Sequence, residues 1–379
     1  MTTVHNGREK FRFLSLRDTI SPGLEDSPLF WVRRLEHLTP TWFPELFAQL
    51  LNGQDLPAAG VTEAVRDLVA GRVDEARGAA FLTALRMKGE TAEEIAAAAL
   101  VLREQMIGLV PVSGPVLDTC GTGGDESGTF NISTAAALVA CGAGVPVVKH
   151  GGRAVSSKSG SADVLRELGV PIEAGPEWAQ RCLDRTGFAF CYAPHFHRGM
   201  AHVADLRKRL GTRTLFNLLG PLANPANAPY QLLGVGKSEL LDPLAAALAR
   251  LGVRQAVLVT SFDGLDEVSL SAPTMVRVVR GDEYDVLEWN PSEFGLAPVS
   301  PASIRAADSR ESAAIIRGVL NGEDGPARRI IVANAAAALW AAEAVPTLRD
   351  GVERADAALK AGKPRAVLAE LCRQDSSAS

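Results

Sequence analysis

Residues 115–142 read PVLDTCGTGGDESGTFNISTAAALVACG, and the fold turns on this stretch. A short apolar run, Pro115 to Thr119, breaks into Cys120, Gly121, Thr122, Gly123, Gly124 and Asp125. Glycines there let the backbone approach a ligand and turn its amides toward it. Asn131, Ile132, Ser133 and Thr134 then open an alanine-rich helix that stops at Gly142, so their polar groups sit at the positive end of a helix dipole, where phosphate is a natural guest. A capped helix needs only one such residue, whereas this site supplies three hydroxyl or amide groups.

Working outward, the same arrangement recurs. Val145 to Lys149 is a second apolar run, delivering KHGGRAVSSKSGSAD (149–163) at its end, and Ala256 to Thr260 is a third, ending in SFDGLDEV (261–268). Short runs alternating with helical segments predict an α/β protein with a mainly parallel central sheet flanked by helices. In such sheets ligands bind beyond the carboxyl ends of the strands. The second loop crowds three cations, four serines and three glycines into one strand-to-helix junction, the mixture that phosphates and ribose hydroxyls require. Adjacent carboxylates at Asp266 and Glu267 suit a hard cation, because magnesium prefers oxygen ligands and shares its shell with water and phosphate.

Upstream, residues 44 to about 108 carry a helical pattern. Asp74 is placed to cap a helix that Gly89 ends, and Thr91 with Glu94 forms a capping box for the next, along which Ile95, Ala98, Ala99, Leu102 and Met106 share one face. The expected division is an N-terminal extension over 1–44, partly ordered, a small helical domain over 45–110, an α/β domain over 111–372 and a tail over 373–379, with helices from about 205–225 joining the helical domain. There is no internal repeat.

Composition sets outer limits. The chain has 379 residues, 47% hydrophobic and only 6% aromatic, so its interior should be filled by Ala, Val and Leu. A net charge of −5 gives no broad electrostatic reason to bind nucleic acid or an anionic membrane. Five scattered cysteines (Cys120, Cys141, Cys182, Cys191, Cys372) form no CxxC pair, which argues against a disulfide framework or zinc site and for a reducing, cytoplasmic setting. Neither a secretory signal nor a bilayer-length apolar run is present in the sequence.

Together the GTGGD turn, the NIST helix start, the KHGGRAVSSKSGSAD loop and the DGLDE turn closely resemble the anthranilate phosphoribosyltransferases. RKRLGTRTLFNLLGPLANP at 207–225 adds to the match, which spans roughly residues 45–372. The resemblance implies a nucleoside phosphorylase/phosphoribosyltransferase-like fold, a homodimer joined through the helical domain, and a magnesium-dependent enzyme of tryptophan biosynthesis. Carried over by motif, it implies that phosphoribosyl pyrophosphate is held by Gly121, Gly124, Asp125, Thr129, Asn131, Ile132, Ser133, Thr134, Lys149, His150, Gly151, Gly152, Arg153, Ala154, Val155, Ser156, Ser157 and Ser161. Mg2+ falls to Ser133, Asp266 and Glu267, anthranilate to Gly121, Gly152, His197 and Arg207, with Arg207 meeting the carboxylate. Lys149, Asp266 and Glu267 would carry catalysis.

Two positions depart from the family pattern. Gly152 stands where the family usually has Asn, and Arg198-Gly199 follow His197 where Pro is common. The rival readings are a pyrimidine nucleoside phosphorylase, which shares the lysine and serine loop but needs no pyrophosphate-bound metal, and a non-catalytic relative that binds nucleic acid, which the acidic balance disfavours.

Overall fold

The computed structural model describes residues 40–110, 114–125, 127–153 and 159–373. Expectations for the extension up to residue 39, for the tail from 374, and for Ala154, Val155, Ser156 and Ser157 therefore lie outside the described residues.

The chain enters through a bundle of α1 (Phe43–Leu51), α2 (Ala58–Val69), α3 (Glu75–Lys88) and α4 (Ala92–Gln105). Local signals set the helix ends. The Asp74 carboxylate accepts from Arg77 N at 3.1 Å and Gly89 closes α3, while Glu94 N donates to Thr91 Oγ1 (3.2 Å) and Thr91 N to Glu94 Oε2 (2.8 Å). Met106 lies just past the end of α4, so the apolar face ends at Leu102.

The second region is built on one seven-stranded sheet: β1 (Leu117–Gly121), β2 (Val147–Gly151), β3 (Phe188–Tyr192), β4 (Tyr230–Gly234), β5 (Gln255–Ser261), β6 (Thr274–Arg280) and β7 (Glu283–Trp289), in the order β3-β2-β1-β4-β5-β6-β7. The first five are parallel, and β6 and β7 complete the sheet as an antiparallel pair. A mainly parallel sheet thus holds, but only three of its strands were read directly from the sequence. Connections after β1 run to one side and those after β4 to the other, so the strand order reverses between β1 and β4, the switch point at which such sheets bind ligands.

Helix α5 (Ile132–Gly142) follows β1, and α6 (Ser161–Glu167) follows β2; α7 (Gly175–Thr186) then leads into β3. Its alanines let α5 press against α13 (Pro326–Ala341), with α14 (Leu348–Lys360) and α15 (Lys363–Leu371) also against it, while α12 (Ser309–Leu320) packs on α6 and α13.

The opposite sheet face is covered differently. Cys120, Leu233, Val235, Ala256, Leu258 and Val279 share one apolar cluster with α11 (Leu241–Arg250), the helical bundle, and α9 (Ala201–Leu210) and α10 (Phe216–Leu219); the short α8 (Ala193–Phe196) precedes α9. Late helices therefore do pack on the bundle, and the bundle's interior is continuous with the sheet's. A Cβ at Gly199 would sit 3.0 Å from Val69 O, so the Arg198-Gly199 departure lets the turn Arg198–Met200 lie directly on the end of α2.

Candidate active site

Beyond the carboxyl ends of β1, β2 and β5 lies a cavity of about 770 Å³. Its wall includes Gly121, Asp125, Thr129, Asn131, Ile132, Ser133, Lys149, His150, Gly151, Gly152, Arg153, Ser161, His197, Arg207, Asp266 and Glu267. Three loops spread along residues 121–267 thus meet in one place. Thr134 is fully buried with its hydroxyl on Asn131 Oδ1, and Gly124 sits under Arg213, so neither lines the cavity.

The SFDGLDEV loop is anchored so that its last two acids reach the cavity. Asp263 folds the turn by accepting from Leu265 N (3.4 Å) and Ser269 Oγ (2.6 Å), and Asn334 of α13 pairs with both polar backbone groups of Val268, at 2.9 and 3.0 Å. Gly121 and Gly234 face each other in register, and the loop crosses above them. A Cβ at Gly234 would overlap Asp266 O, so only glycine there admits the loop backbone, while one at Gly121 would lie a tight 3.2 Å from Asp266 Oδ2.

At the start of α5, Glu267 Oε1 accepts from Ser133 N at 3.0 Å. A carboxylate here complements the helix dipole. One of the amides expected to face phosphate is therefore already engaged, and Asn131, although at the N-cap position, makes no side-chain cap; it receives the Thr134 hydroxyl instead. Lys149 is almost wholly buried, with its ammonium on Thr119 O and 3.2 Å from Ser133 Oγ. Burial pulls it below the usual lysine range, opposed by the charges of Asp118, Glu267 and Asp266.

Asp266 and Glu267 keep some accessible surface but are closely surrounded. Burial, followed by the charge and hydrogen bond of Asp125, pushes Asp266 up to about 7. Burial and then the Asp266 charge push Glu267 well above the carboxylate range. Among the described residues no three His, Cys, Asp or Glu side chains form a self-sufficient metal cage. Two adjacent carboxylates with a serine hydroxyl form instead a partial shell of hard oxygens, which fits a magnesium ion that completes its octahedron with phosphate and water. A divalent cation would also relieve the repulsion that raises both carboxyls.

Other groups on the cavity wall have another character. Arg207 Nε is buried without a partner among the described residues, and burial lowers the guanidinium from its usual range. Nearby, His150 Nδ1 lies 2.8 Å from Gly220 O and His197 Nε2 lies 3.0 Å from Ala223 O, with the rings 4.9 Å apart. A carbonyl can only accept, so His150 carries its proton on Nδ1 and presents a lone pair on Nε2, itself buried and unpartnered. Burial, then the His197 charge, depresses His150 to about 3. Gly152 adds open space: among the described residues, a Cβ there meets nothing within 4 Å. Arg153 reaches the rim but ion-pairs with Glu173 at 2.5 Å, and Ser161 lies close against Gly151.

Residue-by-residue reading missed three supporting groups. Asp118, fully buried in β1, accepts from His150 N (3.3 Å) and Asn224 Nδ2 (2.7 Å), which bolts the 220–225 turn beneath both histidines. Arg213 donates to Gly123 O and Thr122 O at 2.8 and 2.9 Å. An acid inside an otherwise apolar strand was the available signal for Asp118; Asn224 and Arg213 lie in the quoted 207–225 stretch, but nothing local announced the contacts they make.

Comparison with known proteins places the chain in a family. The family model described as "Glycosyl transferase family, a/b domain" matches residues 113–365, and "Glycosyl transferase family, helical bundle domain" matches 44–106. An anthranilate phosphoribosyltransferase of Symbiobacterium thermophilum is 48% identical over 326 residues, 86% of this chain and 96% of the relative; one from Acetivibrio thermocellus is 44% identical over 316 residues, 83% and 92%. Among solved structures, the Thermus thermophilus anthranilate phosphoribosyltransferase superposes with a TM-score of 0.80 at 41% identity, covering 86% of this chain and 98% of that one. The Saccharomyces cerevisiae enzyme, in complex with PRPP and Mg, does so at 0.79 and 30% identity, covering 89% and 98%. Family models, relatives and fold agree: the chain belongs to the glycosyl transferase family, and within it to the anthranilate phosphoribosyltransferases.

Proposed function

We propose that this chain transfers the phosphoribosyl group of phosphoribosyl pyrophosphate to the amine of anthranilate, releasing pyrophosphate, as a step of tryptophan biosynthesis. One observation carries the reading: a single cavity is lined both by buried Lys149 with half-buried Ser133, Asp266 and Glu267 and by Arg207, whose Nε is buried without a partner among the described residues. That combination suits a phosphate-rich donor and a small carboxylated acceptor.

Donor binding falls to Gly121, Gly123 and Asp125, Thr129, the Asn131–Ser133 helix start and the Lys149–Ser161 loop. Ser133, Asp266 and Glu267 would hold magnesium, which when bound supplies positive charge that stabilises the departing pyrophosphate. Lys149 adds a fixed cation whose amine is held by Thr119 and Ser133 and cannot swing away. Arg207 takes the anthranilate carboxylate, which orients the amine toward the ribosyl carbon.

His150 orients rather than deprotonates. A ring neutral down to about pH 3 is a poor base, but its free Nε2 can accept an N–H of the amine and aim the nitrogen lone pair. An aromatic amine is already a neutral nucleophile, so its proton is lost after the carbon–nitrogen bond forms. The chain acts as a homodimer through its helical bundle, a reading supported by exposed Leu51, Met87 and Leu100; light scattering tests it. No helix among the described residues is long and apolar enough to cross a membrane, in keeping with action in the cytoplasm.

The test is direct: purified protein with magnesium and phosphoribosyl pyrophosphate should quench anthranilate fluorescence as product forms. Unchanged fluorescence, with phosphate-dependent release of base from pyrimidine nucleosides, would replace this reading with the phosphorylase one.

A further inference from the structure

We propose that Arg213 is a positioning residue for the donor, clamping the Thr122–Gly124 turn in one conformation at the cavity wall that Arg213, Thr122 and Gly123 share; this rests on the transferase reading above. The residue sits in the connection between α9 and α10. Gly211, at φ 61°, ends α9, and Asn217 Oδ1 accepts from Thr214 N at 3.0 Å to start α10. Leu215 and Phe216 then sink into the core shared with the helical bundle. The guanidinium is thus presented from a rooted turn.

Its two terminal nitrogens meet two successive carbonyls, Nη1 to Gly123 O at 2.8 Å and Nη2 to Thr122 O at 2.9 Å. The peptide bonds are trans, so each carbonyl points opposite to the N–H of the next residue. With both carbonyls drawn to Arg213, the amides of Gly123 and Gly124 turn the other way. The far side of the turn is pinned as well: Thr122 N donates to Gly234 O (2.8 Å), and Gly236 N donates to Thr122 Oγ1 (3.0 Å). Gly124 has φ +88°, and a Cβ on it would overlap Nη1. The glycine is therefore needed to seat the arginine, which explains its place behind the cavity wall.

The next residue is Asp125, whose carboxylate meets Asp266. Holding the turn therefore also fixes one member of the acid cluster. Lysine cannot replace this arrangement, because a single ammonium has no planar fork to span two adjacent carbonyls.

Steady-state kinetics on Arg213→Lys, Arg213→Met and Gly124→Ala tests the assignment, with wild type measured first. Losing charge-assisted bonds predicts a roughly ten- to hundredfold rise in KM for phosphoribosyl pyrophosphate in each variant, while KM for anthranilate stays within about twofold. Gly124→Ala displaces the same guanidinium and also strains a backbone at φ +88°, so the Gly124→Ala/Arg213→Met double variant should raise donor KM by clearly less than the product of the two single effects. Calorimetric titration of phosphoribosyl pyrophosphate with magnesium should show the same loss, including for Arg213→Lys should the Met variant not fold. Wild-type donor KM in Arg213→Lys, a parallel rise for both substrates, or additive effects in the double variant would each overturn the clamp. An inactive wild type would instead refute the transferase reading itself.

Discussion

Replacing Gly152 by asparagine is expected to tighten anthranilate binding. Gly152 follows β2 on the cavity wall, a Cβ there meets no atom of the described residues within 4 Å, and its φ lies outside the left-handed region. The first carbon of a side chain can therefore be added without backbone strain or collision with the described residues. An amide in this position can offer one neutral hydrogen bond to the acceptor, worth about 0.5–1.5 kcal/mol, which corresponds to a roughly two- to tenfold fall in KM for anthranilate. The unfolded chain also loses freedom when glycine is replaced, so stability should rise by about 0.4–1 kcal/mol. Initial rates from anthranilate fluorescence at saturating phosphoribosyl pyrophosphate, with a thermal melt of each protein, measure both effects. A higher KM with an unchanged melting temperature would show that the open space is itself used by the acceptor, and that the hydrogen-bond reasoning fails.

Other perturbations separate the donor and acceptor groups of the cavity. Arg207→Leu should raise KM for anthranilate roughly ten- to hundredfold, the cost of a charge-assisted contact, with donor KM unchanged in the same assay. The pair Asp266→Asn and Glu267→Gln should lower kcat by at least about a hundredfold while circular dichroism stays native. For Asp266 alone the folded carboxyl titrates near 7 against 3.8 for its ordinary value, so the folded state holds the extra proton and wild type loses this contribution as pH rises from about 4 to about 7. Without magnesium, the melting-temperature advantage of Asp266→Asn over wild type should therefore grow across that window; a constant difference would mean that Asp266 is not strained by its neighbours. Asp74→Ala should cost about 1 kcal/mol of stability through its lost cap and leave both KM values unchanged, as read by denaturant melts and kinetics.

The parts of this molecule visible in its sequence are those governed by near neighbours. Asp74 and the Thr91–Glu94 box act across three residues, and the loops after β1, β2 and β5 declare themselves because polar clusters directly follow apolar runs. Strands β3 and β4 are only five residues each, too short for periodicity to separate a buried strand from a buried helical turn. The β6–β7 pair is joined to the sheet by pairing that no local pattern announces. Support for the site was hidden for the same reason: Asp118 and Asn224 are 106 residues apart, and Arg213 reaches Gly123 across 90. Motif order showed which loops hold polar groups, but not that Glu267 already occupies an amide of α5.

One apolar interior runs from the helical bundle through α9 to α11 and onto the sheet. The bundle is consequently no detachable module. A fragment starting near residue 114 would bare Leu233, Val235, Leu258 and the inner side of α11 to water, and should be recovered as aggregate rather than as a smaller enzyme.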